Sequence, residues 1–319
     1  MLTEAGIAYT VLKGSASASY YADPLSRVMG DVDFLVDAAD LERASALFCD
    51  AGFTAHAENH ECHVILRREK THLEMHHTPP GVPEGEVGAR IRSYLSDLLL
   101  SSRLIQNRVV TCRCPDDFHH GLILLMHMQH HLLAEGIGLR HLCDWAVFVG
   151  RFSDADFRAC FEARLRPVGL WRCARLLSLA AVLYLGLPRQ DWMGGDAGEE
   201  DTAHALMADI LAGGNFGRKD RQRMYEGMFI SDRGKDGVKN NRIGMAFRSL
   251  NRITCTKWPF FEHCRPLLPV GWCMAGAVYL HNNRRRRRQG ITVSAADAYQ
   301  RSAARIALYR KLELYEPET

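Results

Sequence analysis

The hydrophobic pattern changes near Pro115, and this change constrains the fold more than any other feature of the sequence. Before Pro115, short runs of β-type residues alternate with helical segments, whereas from Asp116 onward apolar residues recur mostly at helical spacing. We therefore predict an α+β protein, with a small mixed-sheet domain over residues 1–115 and a mostly α-helical domain over residues 116–319. Residues 213–241 are rich in Gly, Lys, Arg and Asp and predict a long mobile loop in the second domain.

Strand and helix signals within each part give the expected order of elements. The predicted strands of the first part end near residue 12 and cover residues 32–36, 63–67 and 71–76. The last two flank a polar turn and are expected to pair as an antiparallel hairpin. A helix after the second strand should begin at Asp40 and end at Gly52, which suits a left-handed C-terminal residue. In the second part, helical patterns cover residues 117–134, 139–149, 154–165, 170–185, 203–211 and 272–281.

Composition excludes several classes of protein. Of the 319 residues, 47% are hydrophobic and 24% are charged, a balance typical of a soluble globular protein. The net charge of +3 is too small to argue for nucleic-acid binding from overall charge. Apolar stretches fall short of the ~20 residues of a membrane span, so we expect no membrane association. Ten cysteines without an export signal predict a cytoplasmic protein with reduced thiols.

The first candidate for chemistry is the turn that follows the first strand. Leu12 and Lys13 end an apolar run, and Gly14 and Ser15 open a short helix. A Gly-Ser turn at the start of a helix lets backbone N–H groups approach a ligand closely at the positive end of the helix dipole, which favours phosphate. Such turns are common, so this one does not assign a function by itself.

Two aspartates at the start of the second predicted strand are the next candidates. Strand alternation places Asp31 and Asp33 on one face, with Val32 and Phe34 on the other. Two carboxylates this close repel each other unless a cation neutralises them, and hard oxygen ligands suit Mg²⁺. Taken alone, such a pair more often marks a half-exposed strand whose solvent face is acidic.

A third carboxylate lies in the last predicted strand of the first part. Alternation there places His72, Glu74 and His76 on one face, and Leu73 and Met75 toward the core. Glu74 is therefore a candidate third metal ligand or general base. Two other interpretations stay open. One is a polar sheet face that carries the histidines, and the other is a zinc site of His-x-Glu-x-His type, which would leave the two aspartates unexplained.

Together these features resemble a known group of enzymes. A Gly-Ser turn after an apolar strand, an Asp-x-Asp strand and a later Glu on a neighbouring strand look like the nucleotidyltransferase superfamily that includes DNA polymerase β. The closer resemblance is to the uncharacterised bacterial nucleotidyltransferase family, through Leu12-Lys13-Gly14, Tyr20-Tyr21, Arg27, residues 30–36, 74–76, 140–145 and 267–269, and Trp272. Members usually carry helices before the Leu-Lys-Gly strand. Here only residues 1–8 precede this strand, so we expect either that the helices covering it are missing or that the protein sequence starts further upstream.

The resemblance implies a metal-dependent enzyme. It would transfer a nucleoside monophosphate from an NTP, with ATP as the expected donor, to a hydroxyl group of a small-molecule or protein acceptor, releasing pyrophosphate. The catalytic residues, which would also hold Mg²⁺ or Mn²⁺, are Asp31, Asp33 and Glu74.

The resemblance also implies a nucleotide-binding set. Gly14 and Ser15 would cradle the β- and γ-phosphates, and Lys13 and Arg27 would add positive charge near the leaving pyrophosphate. For the last two, other interpretations stay open. Lys13 could face solvent at the end of its strand, and Arg27 could instead pair with a neighbouring aspartate, Asp23 or Asp31.

Two other functions stay open. One is nucleotidyl transfer to RNA, such as a tRNA 3′ end, which the run Arg284–Arg288 and the basic segment 217–223 would support. Nucleic acid is not the favoured partner, because no RNA-binding aromatic motif accompanies the run and such runs are usually solvated. The other is a catalytically inactive module that binds nucleotide for a partner, against which three converging acids argue.

Two further pairs lie on predicted helices of the second part. His127 and His131 are one turn apart, a spacing that can share zinc, but the Leu and Met residues around them favour a packed helix with histidines at its edge or in a cleft. Arg140 and Asp144 are also one turn apart, the spacing of an ordinary helix-surface ion pair, and their place in the family resemblance implies a role in bridging the two parts of the chain.

Overall fold

The computed structural model describes residues 1–56, 62–106, 111–134, 136–214, 250–251, 254–255, 257–258, 260–288, 295–314 and 316–317. Within these residues the strands are β1 (Tyr9–Val11), β2 (Val32–Val36), β3 (Thr54–His56), β4 (His63–Arg68), β5 (Thr71–His76), β6 (Arg103–Gln106) and β7 (Thr111–Cys114). The helices are α1 (Ser15–Ala18), α2 (Leu41–Asp50), α3 (Gly85–Tyr94), α4 (Leu98–Ser101), α5 (Asp117–Leu132), α6 (Leu139–Val149), α7 (Asp154–Phe157), α8 (Ala163–Leu165), α9 (Trp171–Leu185), α10 (Ala197–Gly213), α11 (Phe260–His263), α12 (Leu268–Arg288) and α13 (Ala295–Lys311).

Five strands form one mixed sheet in the order β1-β2-β5-β4-β3. β2 and β5 run parallel, and the other neighbours run antiparallel. The predicted second strand and the predicted hairpin are confirmed as β2 and as β4 with β5. A mixed sheet followed by a mostly helical region confirms the expected fold class. The predicted division at residue 115 falls between β7 and α5.

Alternate residues of β2 enter two different hydrophobic clusters. Phe34 and Val36 pack with α2 residues such as Phe48 on one face of the sheet. Leu35 joins the larger cluster built mainly by the helices of the second part. Because side chains alternate along a strand, Asp33 shares the face of Leu35 and is directed toward those helices. The acidic strand therefore lies between the sheet core and the helical region.

Two helices of the second part complete this arrangement. The side chain of Asp116 accepts a hydrogen bond from the backbone N–H of His119 and so caps α5. The helix ends before the predicted breakers Gly136 and Gly138, and α6 begins directly after Gly138. α6 then packs against both α5 and α9.

Some elements were not predicted from the sequence. α3 contains Gly85 and Gly88 and buries only Gly88 and Ile91, so it carries little apolar periodicity. α10 begins at Ala197 rather than near residue 203, because its first turns are polar and are started by the Asp196 cap. β3 is three residues long, too short for a period-two pattern to indicate it.

Two sequence predictions concern segments that the structure describes only in part. Most of the predicted loop at 213–241 falls within residues 215–249, which lie outside the described residues. The backbone of the run Arg284–Arg288 forms the end of α12. Among the helices in the described ranges, none is long and apolar enough to cross a membrane.

Candidate active site

A cavity of about 410 Å³ lies between the sheet and the helices α5 and α6. Its lining from the first part is Lys13, Gly14, Arg27, Gly30, Asp31, Asp33 and Glu74. Its lining from the second part is Leu124, His127, Met128, His131, Arg140, His141 and Asp144. The cavity thus collects every residue that the sequence singled out for catalysis or nucleotide binding, except Ser15. Ser15 is the first residue of α1 and is half-buried.

Asp33 and Glu74 are brought together by the register of the parallel strands β2 and β5, which pairs them directly. Asp33 is only 3% exposed, whereas Glu74 is half-buried and reaches the cavity. His76 Nε2 lies 3.2 Å from Asp33 Oδ1 and 3.6 Å from Glu74 Oε2. The contact with His76 is the main reason why the pKa of Glu74 falls to about 2. Glu74 is therefore ionised throughout the neutral range.

His76 supplies positive charge next to Asp33 and Glu74. Burial alone would lower its pKa, but the contacts with Asp33 and Glu74 raise it above the ordinary value. Positive charge on this ring lies next to two carboxylates that would otherwise repel each other. The sequence placed His76 on the acidic face but did not predict that it stabilises the acidic pair.

Asp31 stands at the open side of the same cavity. Its side chain is about half exposed, and its Oδ1 lies 3.0 Å from His72 Nδ1. Asp31 precedes β2, and it lines the cavity together with Asp33. All three predicted acids therefore face one space, with Asp33 the most buried.

Lys13 faces this acidic group rather than bulk solvent. Its Nζ lies 3.1 Å from Asp33 Oδ1, and the side chain is about one-fifth exposed. The same Nζ is 3.3 Å from Nδ1 and 3.4 Å from Nε2 of His127. The ammonium of Lys13 therefore lies between the Asp33 carboxylate and the ring of His127.

Gly14 makes the turn that brings Lys13 and α1 to the cavity. Its φ of +70° and ψ of −105° lie in a region that residues with a side chain rarely adopt. A Cβ at this position would lie 3.5 Å from the carbonyl oxygen of Asp31, an ordinary van der Waals distance, so the backbone conformation and not the available space requires glycine here. The sequence identified this glycine from its place between strand and helix, and its conformation gives the physical reason for it.

We expect Gly14→Ala to lower the free energy of unfolding by about 1–3 kcal/mol, because a non-glycine residue is strained in this conformation. Urea unfolding of the full chain measures the effect. Gly276→Ala is the matched control: Gly276 lies within helix α12, has no positive φ, and a Cβ there meets no atom within 4 Å. Equal stability of the two variants would contradict the strain at Gly14.

Arg27 is held by α6 rather than by Asp23 or Asp31. Its Nε donates to Asp144 Oδ1 at 2.8 Å and its Nη2 donates to Asp144 Oδ2 at 2.7 Å. The Tyr21 hydroxyl donates to the same Asp144 Oδ1 at 2.8 Å. Both charged side chains are 5% exposed. Asp144 therefore bridges the two parts of the chain, as the sequence suggested, but with Arg27 as its partner in the bidentate pair.

Three histidines converge on another wall of the cavity. The ring centroids of His127 and His131 are 4.4 Å apart. The ring centroid of His141 lies 5.4 Å from that of His127 and 5.5 Å from that of His131. Burial lowers the pKa of His127 well below its ordinary value and that of His141 to about 3, so both rings are neutral at pH 7. The sequence indicated the pair on α5. It missed His141, because nothing in a single sequence shows that α6 packs against that face.

The family model of an uncharacterised nucleotidyltransferase family matches residues 1–186. The chain belongs to this family. The matched part of this nucleotidyltransferase contains every residue that lines the cavity, and family membership makes the protein an enzyme of the transferase class. No curated protein matches the chain.

One solved structure, of a tRNA-processing enzyme complex, is similar over 99% of this chain and 99% of its own chain. The sequences are 12% identical and the TM-score is 0.22. A likeness at this level carries no argument about the fold or the acceptor of the nucleotidyltransferase.

Proposed function

We propose that the enzyme transfers a nucleoside monophosphate from ATP to a hydroxyl group of a small-molecule or protein acceptor and releases pyrophosphate. Asp31, Asp33 and Glu74 hold the divalent cation that nucleotidyltransferases generally use. Family membership supports the reaction class. The observation that carries the residue assignment is the pairing of Asp33 with Glu74 across β2 and β5, at a cavity that Asp31 also lines.

The donor set fits a hard divalent cation such as Mg²⁺ or Mn²⁺. Three carboxylates supply the oxygen ligands that these cations prefer. Asp33 is buried beside a second carboxylate and already needs the positive charges of Lys13 and His76. When bound, the cation supplies charge neutralisation for the triphosphate. The low pKa of Glu74 favours a ligand over a general base, because so acidic a group is a weak proton acceptor.

Three further cavity residues, together with Ser15 at the start of α1, bind and orient the donor. Gly14 and Ser15 contact the β- and γ-phosphates from the turn before α1, which the positive φ of Gly14 shapes. Lys13 balances Asp33 and adds positive charge where the pyrophosphate forms. Arg27 acts as a positioning residue, because its bidentate pair with Asp144 fixes the segment that leads into Asp31.

The reaction itself needs little covalent chemistry from the protein. The acceptor hydroxyl oxygen attacks the α-phosphorus, and the bond from that phosphorus to the bridging oxygen of the β-phosphate breaks. Pyrophosphate leaves with the bond electrons, and the hydroxyl proton passes to solvent. Positioning and charge neutralisation account for most of the rate in reactions of this kind.

The test uses the full chain with ATP labelled at the α-phosphate, Mg²⁺ and separate pools of small metabolites, protein and RNA. Pyrophosphate release together with label on a small molecule or a protein is the expected result. Label on RNA would replace the proposed acceptor class. Nucleotide binding without pyrophosphate release in any pool would identify a binding module instead.

Glu74→Gln should reduce the transfer rate by about 10²-fold or more, because it removes one charged ligand while keeping the shape of the side chain. Glu69→Gln, an exposed change in the turn of the same hairpin, is the control and should leave the rate unchanged. Initial rates at saturating ATP and Mg²⁺ measure both. A mild effect at Glu74 would assign it to the structure of the sheet and leave the two aspartates as the metal ligands.

A further inference from the structure

Three histidines from two helices form a cluster that the proposed reaction does not use. His127 and His131 lie one turn apart on α5, and His141 lies in the first turn of α6. One ring nitrogen from each can be chosen so that all three lie within 4.8 Å of one another. In a tetrahedral site with Zn–N bonds of about 2.0–2.1 Å, the nitrogens would be about 3.3 Å apart. Small side-chain rotations would bring the three nitrogens from their separations of up to 4.8 Å to this shorter distance.

The three rings line the cavity instead of lying within the hydrophobic core. His127 and His131 are half-buried and His141 is 8% exposed, yet all three line the cavity. His141 Nδ1 accepts a hydrogen bond from the backbone N–H of Gly138, the residue before α6, at 3.1 Å, and it also lies 3.3 Å from the carbonyl oxygen of Gly138. Binding a metal through Nε2 requires the tautomer in which Nδ1 donates to the Gly138 carbonyl, the second-sphere contact that commonly orients metal-binding histidines, whereas binding through Nδ1 replaces the contact with the Gly138 N–H. For His127, Lys13 Nζ lies within hydrogen-bond distance of both ring nitrogens and 3.1 Å from Asp33 Oδ1, so the ammonium must shift toward Asp33 when a metal binds this ring.

The chemistry of this group differs from that of the acidic site. Carboxylates suit Mg²⁺ or Mn²⁺, whereas imidazoles suit zinc and its neighbours among the transition metals. A second cluster, His63 with Glu74 and His76, also has metal-binding spacing. It shares Glu74 with the acidic site and so is not a separate candidate.

We infer that His127, His131 and His141 bind a zinc-type divalent transition cation at a site distinct from the carboxylates. Structural zinc sites have four protein ligands, whereas catalytic ones have three and keep one position for water or substrate. Three histidines at a cavity wall match the second kind. The open position faces the same cavity as Asp31 and Asp33, where it can take an oxygen of water or of the acceptor.

The experiment removes metal from the full chain with a chelator and titrates it with Co²⁺ and then Zn²⁺, without nucleotide. We expect one Co²⁺ per chain with the strong visible absorption of a tetrahedral site, displaced by one Zn²⁺. His131→Asn and His141→Gln should each weaken Zn²⁺ binding by about 100-fold or more. His130→Asn, at the exposed neighbour on the same helix, and Asp33→Asn, in the acidic site, should retain the binding.

A measurement on the unmodified protein covers the case in which a histidine variant does not fold. Zn²⁺ should protect His127, His131 and His141 from diethyl pyrocarbonate, as read by mass spectrometry, while His130 stays reactive. The inference is overturned if the folded chain binds no stoichiometric Co²⁺ or Zn²⁺, or if Zn²⁺ leaves these rings unprotected. Loss of zinc in Asp33→Asn with retention in folded His131→Asn would also overturn it and would place the zinc at the carboxylates. None of these readouts depends on nucleotidyl transfer, so the two proposals can fail separately.

Discussion

Asp33→Asn is expected to lower the rate of nucleotidyl transfer by about 10³-fold or more while the protein stays folded. Asn has the shape of Asp but no charge, so it cannot serve as an anionic ligand. Asp33 is the most buried of the three acids, and Lys13 and His76 both lie within about 3.2 Å of its Oδ1. Removing its charge leaves these two cationic groups balanced only by Glu74. Release of pyrophosphate from ATP, measured in single-turnover conditions, gives the chemical step directly.

The control for this variant is Asp37→Asn. Asp37 follows the same strand, is exposed, and its side chain accepts a hydrogen bond from the backbone N–H of Ala39. Asn can accept the same bond, so both rate and stability should stay close to those of the wild type. Transfer at nearly the wild-type rate by a folded Asp33→Asn protein would remove this residue from the catalytic set. Circular dichroism of both variants establishes that they are folded.

The sheet and its acidic face could be predicted because strand alternation is a local property. Alternation over residues 31–36 already predicts that Asp33 and Phe34 lie on opposite faces of the strand, and they do so in the structure. The parallel pairing that brings Glu74 beside Asp33 follows from topology, which the sequence suggested only through the family resemblance. The family match confirms that resemblance over residues 1–186, whereas its extension to residues 267–269 and Trp272 stays a prediction.

The partners across the cavity could not be predicted from local pattern. Asp144 lies 117 residues from Arg27, and His141 joins the other histidines only because α6 packs against α5. Side-chain spacing predicts neighbours within one helix, where Arg140 and Asp144 are one turn apart. This spacing does not show which buried charged residues pair between the two parts of the chain. The bidentate pair and the histidine cluster therefore became visible only with the fold.

Asp144→Ala should lower the free energy of unfolding by about 3–5 kcal/mol, because it leaves the guanidinium of Arg27 buried without its carboxylate. Both side chains are 5% exposed and joined by two hydrogen bonds shorter than 2.9 Å. Burial, with the neighbouring charge of Asp144, also raises the pKa of Tyr21, so its hydroxyl stays protonated and donates to Asp144. Tyr21→Phe removes only this hydrogen bond and should cost about 1 kcal/mol.

The double variant Arg27→Leu with Asp144→Leu separates the cost of an unpaired charge from the cost of losing the contact. Replacing both partners leaves no buried charge, so this protein should be more stable than Asp144→Ala, even though it lacks the pair. Urea unfolding of the three variants measures the difference. A loss below about 1 kcal/mol in Asp144→Ala, or a double variant less stable than the single one, would mean that water reaches Arg27. In that case the guanidinium would be available to a bound nucleotide, as the family resemblance first implied.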